Sequence, residues 1–310
     1  MVPAPSPLLV TIVIPTLNSM PYLEQALRSC LDQTHSEIEI IVVDGGSVDG
    51  TLQIIERLAS QRVRYIAQPA NSGKLPGALN IGFAAARGDY LTWLSSDNYL
   101  VPDAIAKLLG YLVDHPDIDL VYSDFWRVEP DGAIIKKIEV GPPENIWYGN
   151  EVDQSFLFRR SVYARVGDHS IDAFPVQDYD YWVCVAKCCK LGRLQEPLQY
   201  YRVHDRSLTA QFTALGLARC AAKVRLDHGI YDARSYRHEL SRIDMEAAFE
   251  SHWAHDASST RICLVRALFK DWRWLKNRGV YSIGFQALLG QKYFGILKRG
   301  LRRILPPKDN

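Results

Sequence analysis

Along the first 125 positions the apolar residues alternate between two patterns. Short continuous runs occur at Leu8–Ile14, Glu39–Val43, Val63–Ala67, Tyr90–Leu94 and Leu120–Phe125. They are rich in β-branched residues and read as strands buried on both faces. Between them, apolar positions recur every three or four residues, as an amphipathic helix requires. Tyr22–Asp32 places Leu23, Ala26, Leu27 and Cys30 on one face. Thr51–Leu58 reads as a helix with Ser47 or Asp49 as its N-cap, and Pro76–Arg87 as one stopped at Gly88. Pro102–His115 reads as a helix with proline in its first turn. This alternation predicts βαβ units and a mostly parallel sheet, the signature of an α/β fold. Ligands of such sheets bind beyond the carboxyl ends of the strands, so the loops at 15–21, 44–50, 68–77 and 95–101 carry the interest.

The texture changes after residue 125. Val128–Val140 reads as a hairpin turning at Pro130-Asp131-Gly132, Val152–Phe158 as a strand and Ser161–Val166 as a short helix. Tyr179–Leu191 reads as a helix and Leu198–Val203 as a strand. From about residue 208 the pattern is almost wholly helical. The expected organisation is an α/β domain over 1–207, with halves at about 8–125 and 126–207, and a helical C-terminal region over 208–310.

Composition narrows the function classes. With 310 residues and 47% hydrophobic content, the chain can bury a sizeable core. A net charge of +1 implies no polyanionic partner, so no nucleic acid is expected. The six cysteines form no CxxC pair and no zinc spacing; Cys184, Cys188 and Cys189 read as buried thiols of a reducing compartment. No signal-peptide pattern and no run of about 18 apolar residues occurs. The expectation is a cytoplasmic protein, or one peripheral on the inner face of a membrane. The second idea rests on residues 290–305, where Lys292, Lys298, Arg299, Arg302 and Arg303 interleave with apolar residues. A basic amphipathic helix can lie on an anionic surface, or pack against its own domain or a second subunit of a homo-oligomer.

Four constellations carry chemistry. V-V-D-G-G-S-V-D-G-T (42–51) puts Asp44 at a strand end, ahead of glycines that let a ligand approach backbone and of a helix N-terminus that attracts anions. An ordinary turn explains it equally well, and its spacing is not the GxGxxG fingerprint. W-L-S-S-D-N (93–98) sets Asp97 among hydroxyl and amide groups, as suits a hard divalent cation, though turns use the same residues. V-Q-D-Y-D-Y-W (176–182) places Asp178 and Asp180 at a helix start. Pairing with the helix dipole competes there with a general base beside an acceptor that Trp182 stacks on. Y-Y-R-V-H-D-R-S-L-T (200–209) places His204 just past a strand, where a structural histidine competes with a metal or phosphate ligand.

Taken in order, these segments resemble the inverting glycosyltransferase family 2. T-I-V-I-P-T-L-N (11–18) is similar to that family's opening strand and loop, and V-V-D-G-G-S-V-D-G-T to its nucleotide-binding strand end. N-I-G-F-A-A-A-R-G-D-Y-L-T-W-L-S-S-D-N (80–98) is similar to its helix–strand–DxD unit. D-Q-S-F-L-F-R-R-S-V-Y-A-R-V-G (153–167) resembles its acceptor-side segment, Q-D-Y-D-Y-W its E-D motif, and Y-R-V-H-D-R-S-L-T its late H-x-x-S-x-T element. The resemblance covers about residues 8–210.

It implies a GT-A fold: a Rossmann-like, mostly parallel sheet with flanking helices. It implies that Pro15, Thr16 and Asn18 lie against base and ribose, that Asp44 accepts a hydrogen bond from the base, and that Ser47, Ser95 and Ser96 complete the donor side. Asp97 matches the last acid of DxD and would coordinate Mg2+ or Mn2+; His204 could approach the metal or diphosphate. Asp178 matches the catalytic base, with Gln177, Asp180 and Trp182 on the acceptor side. Three positions depart from the pattern. Ser95 stands where DxD has its first acid, Asn98 where a further acid often follows, and Gln177 where E-D has glutamate.

The implied reaction is a single in-line displacement with inversion, from a UDP-, GDP- or dTDP-sugar to a saccharide or lipid-linked acceptor, in surface polysaccharide or glycolipid assembly. The departures keep open a catalytically impaired sugar-nucleotide-binding module. A nucleotidyltransferase of similar architecture would want a basic, glycine-rich segment after the first strand, and residues 15–21 hold none.

Overall fold

The computed structural model describes residues 8–69, 74–277, 279–284 and 286–288. It divides into two compact units, with the division between Phe212 and Thr213. The segment 290–305, expected to form a basic amphipathic helix, lies outside the described residues.

The first unit is built on one nine-stranded sheet. Its elements in chain order are β1 (Val10–Thr16), α1 (Leu23–Leu31), β2 (Ile38–Asp44), α2 (Thr51–Arg57), β3 (Val63–Ala67), α3 (Lys74–Ala85), β4 (Tyr90–Trp93), β5 (Tyr99–Leu100) and α4 (Ala104–Asp114). There follow β6 (Leu120–Val128), β7 (Ile134–Ile138), β8 (Ser155–Arg159), α5 (Arg160–Val166), α6 (Gln177–Cys188) and β9 (Leu191–Arg202). The strand order is β3-β2-β1-β4-β8-β6-β9-β5, with β7 hairpinned onto β6. β1 runs parallel to β2 and β4, β2 to β3, and β6 to β9, while β8 is antiparallel to both β4 and β6. β1, β2, β3, β4, β6 and β9 therefore point the same way, and their carboxyl ends share one edge of the sheet.

The continuous apolar strands are explained by cover on both faces. Val10, Ile12, Ile14, Ile40 and Val42 face α1, α2 and α4. The alternate residues Val13, Ile41 and Val43 face α3, together with Leu79 and Phe83. The α5–α6 layer adds Val162, Tyr181, Trp182 and Val185 to that second core.

Several local expectations are corrected. Gly50, at φ 96°, holds the N-cap position of α2, and Asp49 serves from one residue earlier by accepting the Thr51 N–H at 3.1 Å. Only glycine adopts that φ without strain. α6 ends at Cys188 and β9 begins at Leu191, seven residues before the predicted strand. Of the cysteines, Cys30 is buried; Cys184 and Cys189 are half-buried and Cys188 is exposed, the cluster lying in the last turns of α6 and its C-cap.

The second unit contains α7 (Ala214–Asp227), α8 (Ala233–Trp253) and α9 (Ala257–Lys270), started by the side-chain caps Thr213, Asp232 and Asp256. Among the described residues, no helix is long and apolar enough to cross a membrane.

Candidate functional site

The strand order reverses about β1, which has β2 on one side and β4 on the other. Such a switch point opens a crevice beyond the carboxyl ends, because the connections leave it in opposite directions. A cavity of about 550 Å³ lies here. Its wall is made by Pro15–Met20 after β1, Gln68 after β3, Ser95–Asp97 after β4, and His204 and Arg206–Leu208 after β9. Pro15, Thr16, Asn18, Ser95, Ser96, Asp97 and His204, all singled out from sequence, thus converge from three strand ends.

Asp44 and Ser47 stand behind this wall. Asp44 is 2% exposed, and its Oδ2 accepts the N–H groups of Gly46 and Ser47 at 3.0 Å each. The Ser47 hydroxyl donates to Asp44 Oδ1 and accepts from the Asn18 N–H at 2.8 Å. Asn18, at φ 49°, accepts the Val48 N–H at 2.9 Å. Ser19 N–H donates to Thr51 Oγ1 and Met20 N–H to Asp49 Oδ2. The 44–51 segment is therefore a hydrogen-bonded template that fixes the shape of loop 16–20, and Ser19 Oγ in turn meets Ser96 Oγ at 2.7 Å.

On the opposite wall His204 Nε2 lies 3.0 Å from Asp97 Oδ2. The His204 side chain is 8% exposed and that of Asp97 25%. Arg202 locks both in place. Its backbone N–H donates to Asn98 Oδ1, its Nε donates to the Asp97 carbonyl, both at 2.9 Å, and its guanidinium lies 4.5 Å from the Tyr22 ring centroid. The same ring sits 4.9 Å from the imidazole of His204. Asn98 is 1% exposed, and its Nδ2 donates to Gln154 Oε1 at 3.2 Å. An amide at 98 is thus a structural link from the β4 loop to the segment before β8. Asp97 and His204 remain as the pair that faces the cavity and could hold a cation.

α6 carries the remaining expectations, and none of its residues lines the cavity. Asp178 is half-buried in the first turn, and its Oδ2 accepts from Asn150 Nδ2 at 2.9 Å. Burial raises its pKa, opposed by the backbone N–H of Tyr179, its own N–H and the Asn150 amide. Gln177 is buried, with its Oε1 unpartnered, and Asp180 is half-buried. Trp182 corrects an expectation. It is fully buried, with Phe156 at 4.6 Å, and a ring enclosed in the core offers no stacking face to an acceptor.

Some site residues lay in segments marked in the sequence but were not themselves singled out. Asp153 sits at φ 46° between Asn150 and Gln154. Its N–H donates to Asn150 Oδ1 at 3.1 Å and its Oδ1 accepts from Gln154 Nε2 at 2.9 Å. Burial raises its pKa to about 6; the Gln154 bond and Arg127 oppose this, while the charges of Asp178 and Glu151 add to it. A hydrogen-bonded chain thereby joins Asp178, Asn150, Asp153, Gln154 and Asn98. Lys74, Phe174 and Phe212 also close the cavity, with Lys74 Nζ 4.4 Å from the Phe174 centroid and the two phenyl rings 5.7 Å apart. Among the described residues, Lys74 and Arg206 give the cavity wall positive charge and Asp97 gives it one carboxylate.

The sequence model of glycosyl transferase family 2 matches residues 11–167, half of the chain. An uncharacterized glycosyltransferase of Haemophilus influenzae is 37% identical over 132 residues, which are 42% of this chain and 52% of the relative. Chondroitin synthase of Pasteurella multocida is 35% identical over 129 residues, 41% of this chain and 13% of that enzyme. The chain thus spans about half of the first relative's length and far less of the second's. Among solved structures, S. aureus TarS 1–349 in complex with UDP-GlcNAc superposes with a TM-score of 0.59 at 14% identity, covering 91% of this chain and 92% of that one. The mannosyltransferase PcManGT from Pyrobaculum calidifontis, in complex with GDP-Man and Mn2+, gives 0.57 at 16% identity, covering 96% and 88%. Likeness at such identities concerns the fold, which is the GT-A arrangement expected from the sequence. The chain belongs to glycosyl transferase family 2.

Proposed function

We propose that this family 2 protein transfers a sugar from a nucleoside-diphosphate sugar to an acceptor hydroxyl, with inversion at the anomeric carbon. The observation that carries the reading is the Asp97–His204 pair on the wall of a cavity at the strand switch point. Adjacent ligands of a six-coordinate ion with bonds of about 2.1 Å stand about 3 Å apart. The observed 3.0 Å between Asp97 Oδ2 and His204 Nε2 fits that spacing. Two protein donors leave positions for diphosphate oxygens and water, the usual arrangement for Mg2+ or Mn2+. When bound, the ion would neutralise charge developing on the leaving diphosphate.

The chain's own residues supply the rest. Pro15, Thr16 and Asn18, on a loop shaped by Asp44 and Ser47, lie where base and ribose would bind. Ser95 and Ser96 offer hydroxyls, and Lys74 and Arg206 offer positive charge, to the diphosphate. Asp178 would take the proton of the acceptor hydroxyl as its oxygen attacks opposite the diphosphate. Its raised pKa makes it a stronger base than an exposed aspartate. Gln177 and Asp180 lie on the same helix, toward the acceptor side. The complexes of TarS with UDP-GlcNAc and of PcManGT with GDP-Man and Mn2+ support this donor class and a metal. The relation to a chondroitin synthase supports a saccharide acceptor, and with it polysaccharide or glycolipid assembly. In this reading the donor and acceptor sites expected over 1–207 extend to Phe212, which closes the cavity, and the rest of 208–310 attaches or assembles the protein.

A second reading, a sugar-nucleotide-binding module without turnover, is favoured by Ser95 and by the structural role of Asn98. Thermal shifts with UDP-, GDP- and dTDP-sugars, with and without Mn2+, followed by donor-hydrolysis assays, separate the two. Mn2+-dependent hydrolysis of the sugar that shifts Tm supports transfer. A shift without hydrolysis or transfer to any saccharide acceptor supports the second reading. No shift with any nucleotide-sugar overturns both.

A further inference from the structure

α9 has two apolar faces, and among the described residues only one is used. Thr260, Leu264 and Ala267 are buried, and the last two pack with Met245 and Ala248 of α8 and with Val280 and Ile283. On the other side Ile262 is 50% exposed, Val265 66% and Phe269 91%, at the spacing that stacks residues along one face of a helix. Trp272, in the turn that follows, is 66% exposed. Arg261 and Arg266 flank the stripe on its two sides, and α9 contains no acidic residue. Lys270 and Arg273 are paired with Asp244 and Asp271, whereas Arg261 donates to a neutral carbonyl, that of Ala287 at 3.1 Å, so the two flanking arginines set the sign of this face.

We propose that this face of α9, the stripe Ile262–Val265–Phe269 with Arg261 and Arg266 beside it, docks on an anionic lipid bilayer. An apolar ridge between cations is what an interfacial helix needs: the ridge enters the acyl boundary while the cations stay among the headgroups. Charge argues against the other occupants. A second copy packed through this face would bring like-charged arginines together. The chain's own end, residues 290–303, carries Lys292, Lys298, Arg299, Arg302 and Arg303 and no acid, so it too is repelled. The proposal is independent of sugar transfer and concerns a segment distinct from 290–305.

The test is co-sedimentation of the full chain with vesicles of phosphatidylcholine alone and of phosphatidylcholine with phosphatidylglycerol. Binding to the anionic vesicles only, weakened by salt, is expected. The double substitution Val265→Glu and Phe269→Glu should lower the partition coefficient about tenfold or more. Replacing Arg261 and Arg266 by Ala should lower it by about fivefold per arginine. Val265 and Phe269 are exposed, so an unchanged Tm is expected for the Glu pair; the Ala pair also loses the Arg261 Nη1 bond to the Ala287 carbonyl, so a small fall in Tm is expected there, and a cooperative transition shows that the fold survives. Wild-type binding by both variants overturns the proposal. So does absence of binding by the parent protein, or a dimer in light scattering that the Glu variant dissociates while vesicle binding is unaltered.

Discussion

One amide group ties the Asp178 carboxylate to the backbone of Asp153: Asn150 donates through Nδ2 to Asp178 Oδ2 at 2.9 Å and accepts the Asp153 backbone N–H through Oδ1 at 3.1 Å. The donated bond stabilises the ionised form of Asp178 and opposes the upward push of burial on its pKa. Asn150→Ala removes that opposition. If Asp178 is the base, the acid limb of the kcat/KM profile should move to higher pH, because activity is lost when the base is protonated. A profile that drops in height without moving would assign Asn150 a packing role only.

Asp178→Asn keeps the shape and the Asn150 contact on one oxygen but cannot accept a proton. Loss of a general base costs about 10²–10⁴-fold in turnover. Nucleotide-sugar affinity, read by calorimetry, should stay within about twofold, since Asp178 does not line the cavity. Near-parental turnover would move the base elsewhere, with Asp180 as the next candidate.

Asp153, with a pKa raised to about 6 from 3.8, makes a prediction of opposite sign to most carboxylates. Between these values the folded protein holds a proton that the unfolded chain has released. Stability therefore falls as pH rises through this window and the cost is complete above it. Asp153→Asn keeps an oxygen for Gln154 and removes the cost, so it should stabilise by about 3 kcal/mol at pH 7.5 and by almost nothing at pH 3.5. Urea midpoints of the two proteins at both pH values test this; an equal difference at both would mean that ionisation is not its source.

The parallel half of the sheet was legible because β1, β2 and β4 are buried on both faces, so each reads as a mostly apolar run, while the edge strand β3, only partly covered, is marked by its β-branched residues. The other half was read less well. β9 begins at Leu191-Gly192-Arg193, where no apolar run marks a strand; Gly192 is required because a Cβ would come within 2.6 Å of the Tyr111 ring. Pro197 then interrupts the pairing with β6 where the register shifts. β5 is two residues long and is defined by its partner, with Tyr99 stacked 4.5 Å from Tyr200. Within the site, residues at strand ends were found because strand ends are marked. Lys74 at the start of α3, Phe174 and Phe212 come from three separate segments, and only tertiary closure brings them to one cavity. The pattern at 176–182 placed Trp182 on the same helix as Asp178. It did not show that the indole turns into the core while the carboxylate turns to Asn150.

Metal dependence should follow the Asp97–His204 pair. His204→Ala removes one donor and frees the Asp97 carboxylate to rotate, so the Mn2+ concentration giving half-maximal activity should rise by about 10- to 100-fold. Asp97→Asn should abolish the Mn2+-dependent part of the thermal shift. Asn98→Asp should not tighten metal binding, because that side chain is held by Gln154 and the Arg202 N–H, and it should lower Tm. Tighter Mn2+ binding in Asn98→Asp would show instead that position 98 reaches the ion.

Glu39 gives a test of the fold independent of function. It sits near the amino end of β2, between β1 and β3, 3% exposed, and every acceptor direction is used. Oε1 accepts from Arg64 Nη1 at 2.8 Å and Arg87 Nε at 2.7 Å; Oε2 accepts from Thr11 Oγ1 at 2.8 Å and the Arg87 N–H at 2.9 Å. Burial alone would raise its pKa, but these four donors outweigh it and the pKa is lowered from 4.5. For a depressed carboxylate the stabilisation is present above the unfolded value and is lost as pH falls through the folded one. Glu39→Gln replaces one acceptor oxygen by an amide that faces donors, and loses about 1–3 kcal/mol at pH 7. Arg64 and Arg87 reach solvent, which keeps the loss below that of a wholly buried ion pair. The stability gap between the two proteins should narrow as pH drops below about 4 and the parental glutamate takes up its proton. Chemical denaturation from pH 7 to pH 3 measures that gap, and one that stays constant would mean that the carboxylate charge contributes nothing to the sheet.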